Sequence, residues 1–345
     1  MIRTVCGLLF LLIPVFGYSQ SPSFFNSVPS PTAASLGKFG DIPVNLYTGT
    51  PQIGIPLGEI ESRQLSIPLG LNYHGSGVKV EDIPGWVGLN WALDAGGVIT
   101  RSLRGLPDEF ATGYLSTGTL IEQNWDDLPY NTTGDPNILE QIATNDIDPS
   151  PDLFFFNFAG RSGKFVLGTD GQAEIQVIPK QKLKVLFATE TSSICNETGV
   201  HFSQWTITTE NGTKYTFEDL ECTDLGANYA FGTSVIASSW FLSRIESATG
   251  NDEINFEYSA PVSVTHTIQP YVEEFIEQGC PAIPNVHNDN IFTSKVLYLE
   301  KISTANQEIT FTHSPRGSGF TSPDEHQLDR ISIRRAPAGP IVKGV

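Results

Sequence analysis

Residues 240–258 read WFLSRIESATGNDEINFEY, and residues 296–313 read VLYLEKISTANQEITFTH. The two stretches carry one pattern. Leu242 and Ile245 recur as Leu299 and Ile302, and Ile254 and Phe256 recur as Ile309 and Phe311. The spacing differs by two residues only between the paired segments, where a turn tolerates a change of length. Apolar residues alternate with polar ones in each arm, the period-two signature of a strand with one buried face. A third opening, Leu328-Asp329-Arg330-Ile331, repeats the start. Three such openings predict antiparallel hairpins stacked edge to edge. A lone hairpin cannot bury its apolar face and is stable only beside others. No return strand is read after the third opening before Val345, so the array is expected to be truncated there.

Outward from this repeat, the rest of the chain also reads as strands. Trp205–Thr209 and Thr213–Phe217 flank Glu210-Asn211-Gly212. Asn-Gly between β-rich runs marks a hairpin because both residues tolerate positive φ. Leu153–Phe158 and Lys164–Leu167 flank Gly160-Arg161-Ser162-Gly163, read as a Gly-rich turn. Leu65 to Tyr73 alternates over its whole length, with Pro68 on the outer face, which suits an edge strand. Val98–Arg101 follows Gly96-Gly97 as a further strand. Strands are expected at about 65–73, 97–103, 153–158, 164–168, 205–209, 213–217, 240–246, 253–258, 296–303 and 308–313. The fold class is therefore all-β: a β-sandwich-like start over residues 41–107, then a stacked-hairpin β-shell array over residues 151–345, with little helix. Between them, residues 108–150 form an acidic, turn-rich excursion in which only Ile138 to Ala143 has a helical look.

Composition narrows the function. Only 17% of residues are charged and 39% are hydrophobic, enough apolar surface for a packed core and too little charge for a disordered chain. The net charge of −18 and the absence of a Lys/Arg cluster argue against nucleic-acid binding. Arg330, Arg334, Arg335 and Lys343 come nearest to a basic patch and read as a solvated strand edge.

The N-terminus resembles an export signal. Arg3 precedes the apolar run from Val5 to Phe16, and Gly17-Tyr18-Ser19 places small residues at the −3 and −1 positions of a cut between Ser19 and Gln20. Residues 1–19 are read as a cleaved signal peptide, followed by an extended Pro/Ser-rich lead over residues 20–40. The run is short for a membrane span, and no later segment is apolar enough for one. Localisation is thus expected to be secreted or cell-surface. Export permits a disulfide. Of the remaining cysteines, Cys195 and Cys222 flank the Asn211-Gly212 hairpin and are the expected pair, leaving Cys280 free.

The segment Leu69-Gly-Leu-Asn-Tyr-His-Gly-Ser-Gly-Val-Lys-Val80, followed by Gly85-Trp-Val-Gly-Leu-Asn-Trp-Ala-Leu-Asp-Ala-Gly-Gly-Val-Ile-Thr-Arg101, resembles the N-terminal segment of bacterial Rhs/YD-repeat proteins. It is similar also to the opening of insecticidal toxin-complex B components and virulence-plasmid B proteins. Those carry a Leu-x-Leu-x-Tyr strand, then a Gly-Leu-Gly-Trp-x-Leu turn, then Ile-x-Arg. The resemblance implies a β-hairpin shell around a C-terminal toxin, so the implied partner is the downstream part of the same polypeptide. Two departures stand out: this chain has no Tyr-Asp dipeptide, and the aspartate-bearing self-cleavage motif is absent.

No catalytic pattern passes its spacing test. A G-x-S-x-G nucleophile elbow is missing. His74-Gly75-Ser76-Gly77 reads as a turn closing a strand. The histidines (74, 201, 266, 287, 313 and 326) never fall at metal-ligand spacing. Asp126-Asp127 and Glu273-Glu274 are unremarkable in so acidic a chain. Asp146, Asp148 and Asp152 would supply oxygens to a calcium loop, yet the EF-hand spacing and its glycine are missing. Trp86 and Trp91 flank Gly88-Leu89-Asn90 and suit a packed turn better than a sugar platform. The expectation is a non-catalytic scaffold segment without cofactor. The alternative is a secreted β-sandwich adhesin or carbohydrate-binding module.

Overall fold

The computed structural model describes residues 49–51, 53–75, 77, 82, 84–117, 138–144, 146–168, 171–194, 197–224, 235–268, 290–317, 324–335 and 341–344. Strand accounts for 65% of these residues and helix for 4%, which establishes the all-β class. The signal segment, the Pro/Ser-rich lead, Cys195 and Cys280 lie outside the described residues.

Ile53–Glu61 (β1), Ser66–Tyr73 (β2) and Trp91–Asp94 (β3) form a three-stranded antiparallel sheet. The other strands join one branched sheet. Gly97–Ser102 (β4), Leu153–Phe158 (β5), Arg161–Gly168 (β6) and Gly171–Ile178 (β7) form one arm. A six-residue helix, Ile138–Ala143 (α1), falls where the sequence suggested it. Leu183–Ile194 (β8) and Glu197–Thr209 (β9) make a long hairpin that leads into Lys214–Asp224 (β10) and Val235–Glu246 (β11). Glu253–Tyr258 (β12) is followed by a second hairpin, Val262–Ile268 (β13) with Asn290–Val296 (β14). Leu299–Thr304 (β15), Gln307–Pro315 (β16), His326–Arg335 (β17) and Ile341–Gly344 (β18) extend the sheet from β12.

Two strands carry the branches. One edge of β11 is shared by β12, through Arg244–Glu246, and by β4, through Ser239–Phe241. One edge of β10 is shared by β9, through Lys214–Phe217, and by β14, through Cys222–Asp224. Phe154 and Phe165 of the β4–β7 arm pack against Phe202, Trp205 and Trp240, with ring centroids 4.8–6.0 Å apart. All five side chains are fully buried.

The repeat is visible as stacked hairpins. Ile245 lies opposite Ile254, and Ile302 opposite Ile309. Phe256 faces Ile302 across β12 and β15, and Phe311 faces Ile331 across β16 and β17. Every one of these side chains is buried in a single cluster that also takes in Leu57, Ile60, Ile67 and Leu69 of the small sheet. The length difference sits in the turns: Glu246 pairs with Glu253 in one hairpin, Ser303 with Glu308 in the other.

Four expectations are corrected. The third hairpin has its return strand, since β17 pairs with β18. At four residues, and after the Pro/Gly-rich stretch 336–340, that strand is too short to show a period. The turn after β5 is Ala159-Gly160, both at positive φ (46° and 71°), rather than Gly160–Gly163. Gly163 is instead inside β6, where a Cβ would meet the Phe156 ring at 2.8 Å. The expected strand 296–303 is two strands, β14 ending at Val296 and β15 starting at Leu299. Leu297 between them donates its N–H to Glu221 Oε1 at 2.9 Å. Finally, β2 is a central strand, but β3 covers only Gly70–Tyr73, so Pro68 sits where one side is open.

Candidate functional site

Strand parity places Arg101 on the same face of β4 as the buried Ile99, so its side chain enters the core with no exposed surface. Glu109 meets it with two oxygens, at 2.9 Å to Nη1 and 2.6 Å to Nη2. Asp152 accepts from Nε at 2.7 Å and from Nη2 at 2.5 Å. The guanidinium lies 5.6 Å from the ring centres of Phe154 and Phe202. The other Asp152 oxygen accepts the Arg104 N–H at 2.7 Å. Asp108 Oδ1 accepts the Asp152 N–H at 2.9 Å, and Asp108 Oδ2 is buried without a partner. Asp148 accepts the N–H groups of Leu106 and Ser150 at 2.7 and 2.9 Å. Thus one arginine fastens both ends of the 108–150 excursion to β4 and β5.

The charges resolve within the cluster. Burial alone would lower the Arg101 pKa, but Glu109 and Asp152 outweigh it and hold the group charged. Burial, reinforced by the negative charge of Asp152, pushes Asp108 up to about 8, so it carries a proton at neutral pH. Two carboxylates then face one cation. The side chains of Arg101, Glu109 and Asp152 are at most 2% exposed, so no substrate reaches them. Their chemistry is that of an internal anchor. The calcium reading of Asp146, Asp148 and Asp152 finds no support in the geometry. Asp148 and Asp152 are committed to backbone N–H groups and Arg101, and no group of three potential ligands converges among the described residues.

A second cluster surrounds the turn at Trp86. Its ring packs on Tyr298, Phe311 and His313 at 5.8, 6.5 and 6.5 Å. Arg316 donates to the carbonyls of Pro84 and Gly85 and pairs with Glu325 at 3.2 Å. Leu328 donates its N–H to the Trp86 carbonyl at 2.8 Å. His313 and His326 touch through Nδ1 at 2.8 Å, with rings stacked at 4.8 Å, and His326 stacks on Tyr298. Sequence spacing hides this pair: the histidines are brought together by the β16–β17 ladder, where His313 lies opposite Leu328 and Pro315 opposite His326. Trp91, the first residue of β3, packs edge-on against its strand partner Tyr73 at 5.3 Å, so Trp86 belongs to the turn and Trp91 to the sheet.

Beside that turn, a cleft of about 270 Å³ opens between the small and large sheets. Trp86, Phe241, Tyr258, Leu297 and Leu299 form its apolar walls, and Asn72, His74, Asp94 and Asn157 its polar rim. Asn72 Nδ2 donates to Asp94 Oδ2 at 3.3 Å.

No known protein family matches the chain, and no curated protein matches it in sequence.

The remaining sequence-derived sites distribute as follows. Ser19 and Gln20 lie outside the described residues. Cys222 is buried and disulfide-bonded, while Cys195, its expected partner, lies outside the described residues. His74 donates its backbone N–H to the Asn90 carbonyl, and Asn90 Nδ2 donates to the Gly77 carbonyl, so His74 and Gly77 are both tied to Asn90. Arg330, Arg334 and Arg335 are exposed along β17. The Arg101 anchor escaped the sequence reading, although Ile99-Thr100-Arg101 held the signal: an arginine two residues from a core isoleucine shares its face.

Proposed function

We propose that this chain is a non-catalytic scaffold segment of a secreted or surface-exposed YD-repeat protein. In this reading the hairpins build part of a shell, and the downstream polypeptide, with a C-terminal toxin in such proteins, is the partner. The observation that supports it most is the in-register stacking of the repeat hairpins. β11–β12 and β15–β16 lie side by side, and β17–β18 continues the series in the same sheet. Such an array grows by adding hairpins at an edge, and β18 is that edge among the described residues. The sealed Arg101 anchor fits a rigid wall better than a reaction centre.

The test is the mass and the N-terminal sequence of the exported native polypeptide. The expected product begins at or within a residue or two of Gln20 and is far heavier than 37.6 kDa. An exported product that retains Met1, or that ends at Val345, would overturn the reading.

A further inference from the structure

We infer that the cleft between the two sheets is a binding site for a single neutral sugar ring. The walls and rim of the cleft supply the argument. Asp94 commits one carboxylate oxygen to Asn72, and its other oxygen has no protein partner among the described residues. The side chains of Asn157 and His74 have no hydrogen-bond partner there either. Four polar residues from β2, β3, β5 and the segment after β2 therefore line one cleft, and among the described residues most of their side-chain hydrogen-bonding capacity is unused. An apolar ligand would desolvate these groups without replacing their water, so the ligand must carry several donors and acceptors of its own.

Charge narrows the class further. Among the described residues no lysine or arginine lines the cleft, and Asp94 contributes a carboxylate, so phosphate, sulfate and carboxylate ligands find no counter-charge from them. Size narrows it again. At about 270 Å³ the cleft is smaller than the range of sites for drug-sized molecules, which leaves room for one ring. Phe241 and Tyr258, with ring centroids 5.5 Å apart, supply an aromatic wall for the apolar face of a pyranose. The hydroxyls of that ring match the amide, imidazole and carboxylate rim. The walls are themselves fixed: the Tyr258 hydroxyl donates to the Leu242 carbonyl at 2.9 Å, and Trp86 is held on Tyr298. A preformed wall keeps the ordering cost of binding low.

Saturation-transfer NMR and tryptophan fluorescence with methyl glycosides of neutral hexoses and N-acetylhexosamines test this on the intact chain. At least one glycoside should bind with a Kd of about 1 mM or tighter. Asp94→Ala and Asn157→Ala should each weaken it tenfold or more without changing the melting temperature. Asn157 is exposed on β5, so its variant folds even where the Asp94 variant does not. Absence of binding by every glycoside, binding unchanged in Asn157→Ala, or preference for choline over all sugars would overturn the inference.

Discussion

Arg101 holds two carboxylates inside the protein, and its removal would leave Glu109 and Asp152 buried without a counter-charge. Breaking such a pair costs on the order of 3–5 kcal/mol, so Arg101→Ala should lose about that much stability in urea unfolding. Asp108 gives a pH signature. Its folded pKa of about 8 lies above the ordinary 3.8, so the folded state keeps a proton that the unfolded chain releases. Its contribution to stability is full below about pH 4 and is lost as pH rises towards 8. Asp108→Asn should flatten that decline and raise stability at pH 8 and above, measured by urea midpoints across pH. The histidine pair works in the opposite sense. A 2.8 Å contact between two Nδ1 atoms needs one N–H and one bare nitrogen. Burial and the neighbouring His313 hold His326 below its ordinary 6.5. Glu300, Asp324, Glu325 and Asp329 supply nearby negative charge, and Arg316 the positive charge on the same hairpin. The unfolded chain protonates first, so stability should fall as pH drops below about 6.5, and His326→Gln should remove that acid limb. At Cys222, peptide mapping without reduction should return a Cys195–Cys222 peptide; a Cys222–Cys280 peptide would reject that pairing.

At the scale of elements, the repeat turns do more than reverse the chain. Asp252, in the β11–β12 turn, accepts from the Ser62 hydroxyl and from the N–H groups of Gln64 (2.6 Å) and Leu65 (3.2 Å). Thr304, at the β15–β16 turn, donates to the Glu61 carbonyl at 2.7 Å. The two turns together hold the β1–β2 hairpin. Although burial pulls the Asp252 pKa up, these donors bring it below the ordinary value, so its contribution is present at neutral pH and lost in acid. Asp252→Ala should destabilise the protein by about 1.5–3 kcal/mol, the typical worth of hydrogen bonds to a charged group, and should speed amide exchange over residues 66–73. Legibility at this scale followed alternation and turn chemistry. β12 has the expected bounds because it alternates, and β5 because its short apolar run is bounded by Pro151-Asp152 and by Gly160. The outer half of β8 was illegible, because Ala188, Thr189, Glu190 and Thr191 are all exposed and show no inside-outside pattern. The cleft was illegible for a different reason: Asn72, Asp94 and Asn157 come together only through sheet pairing.

At the scale of the molecule, the sequence repeat announces stacked hairpins, and the branching of the sheet at β10 and β11 does not show in it. Branching depends on which strands share an edge, and no local pattern records that. One cluster nevertheless joins the small sheet, the aromatic block and the repeats. Ile302→Ala, at a fully buried member of that cluster, should therefore cost about 2–5 kcal/mol in a single cooperative transition. The scaffold proposal turns on the edge at β18, whose outer backbone groups, without a strand partner among the described residues, would be covered by a following hairpin. Hydrogen exchange can compare this edge in the native exported polypeptide and in the isolated 345-residue chain. Amides of Ile341–Gly344 should be protected in the native polypeptide and exchange rapidly in the isolated chain. Equally rapid exchange in both would contradict that proposal.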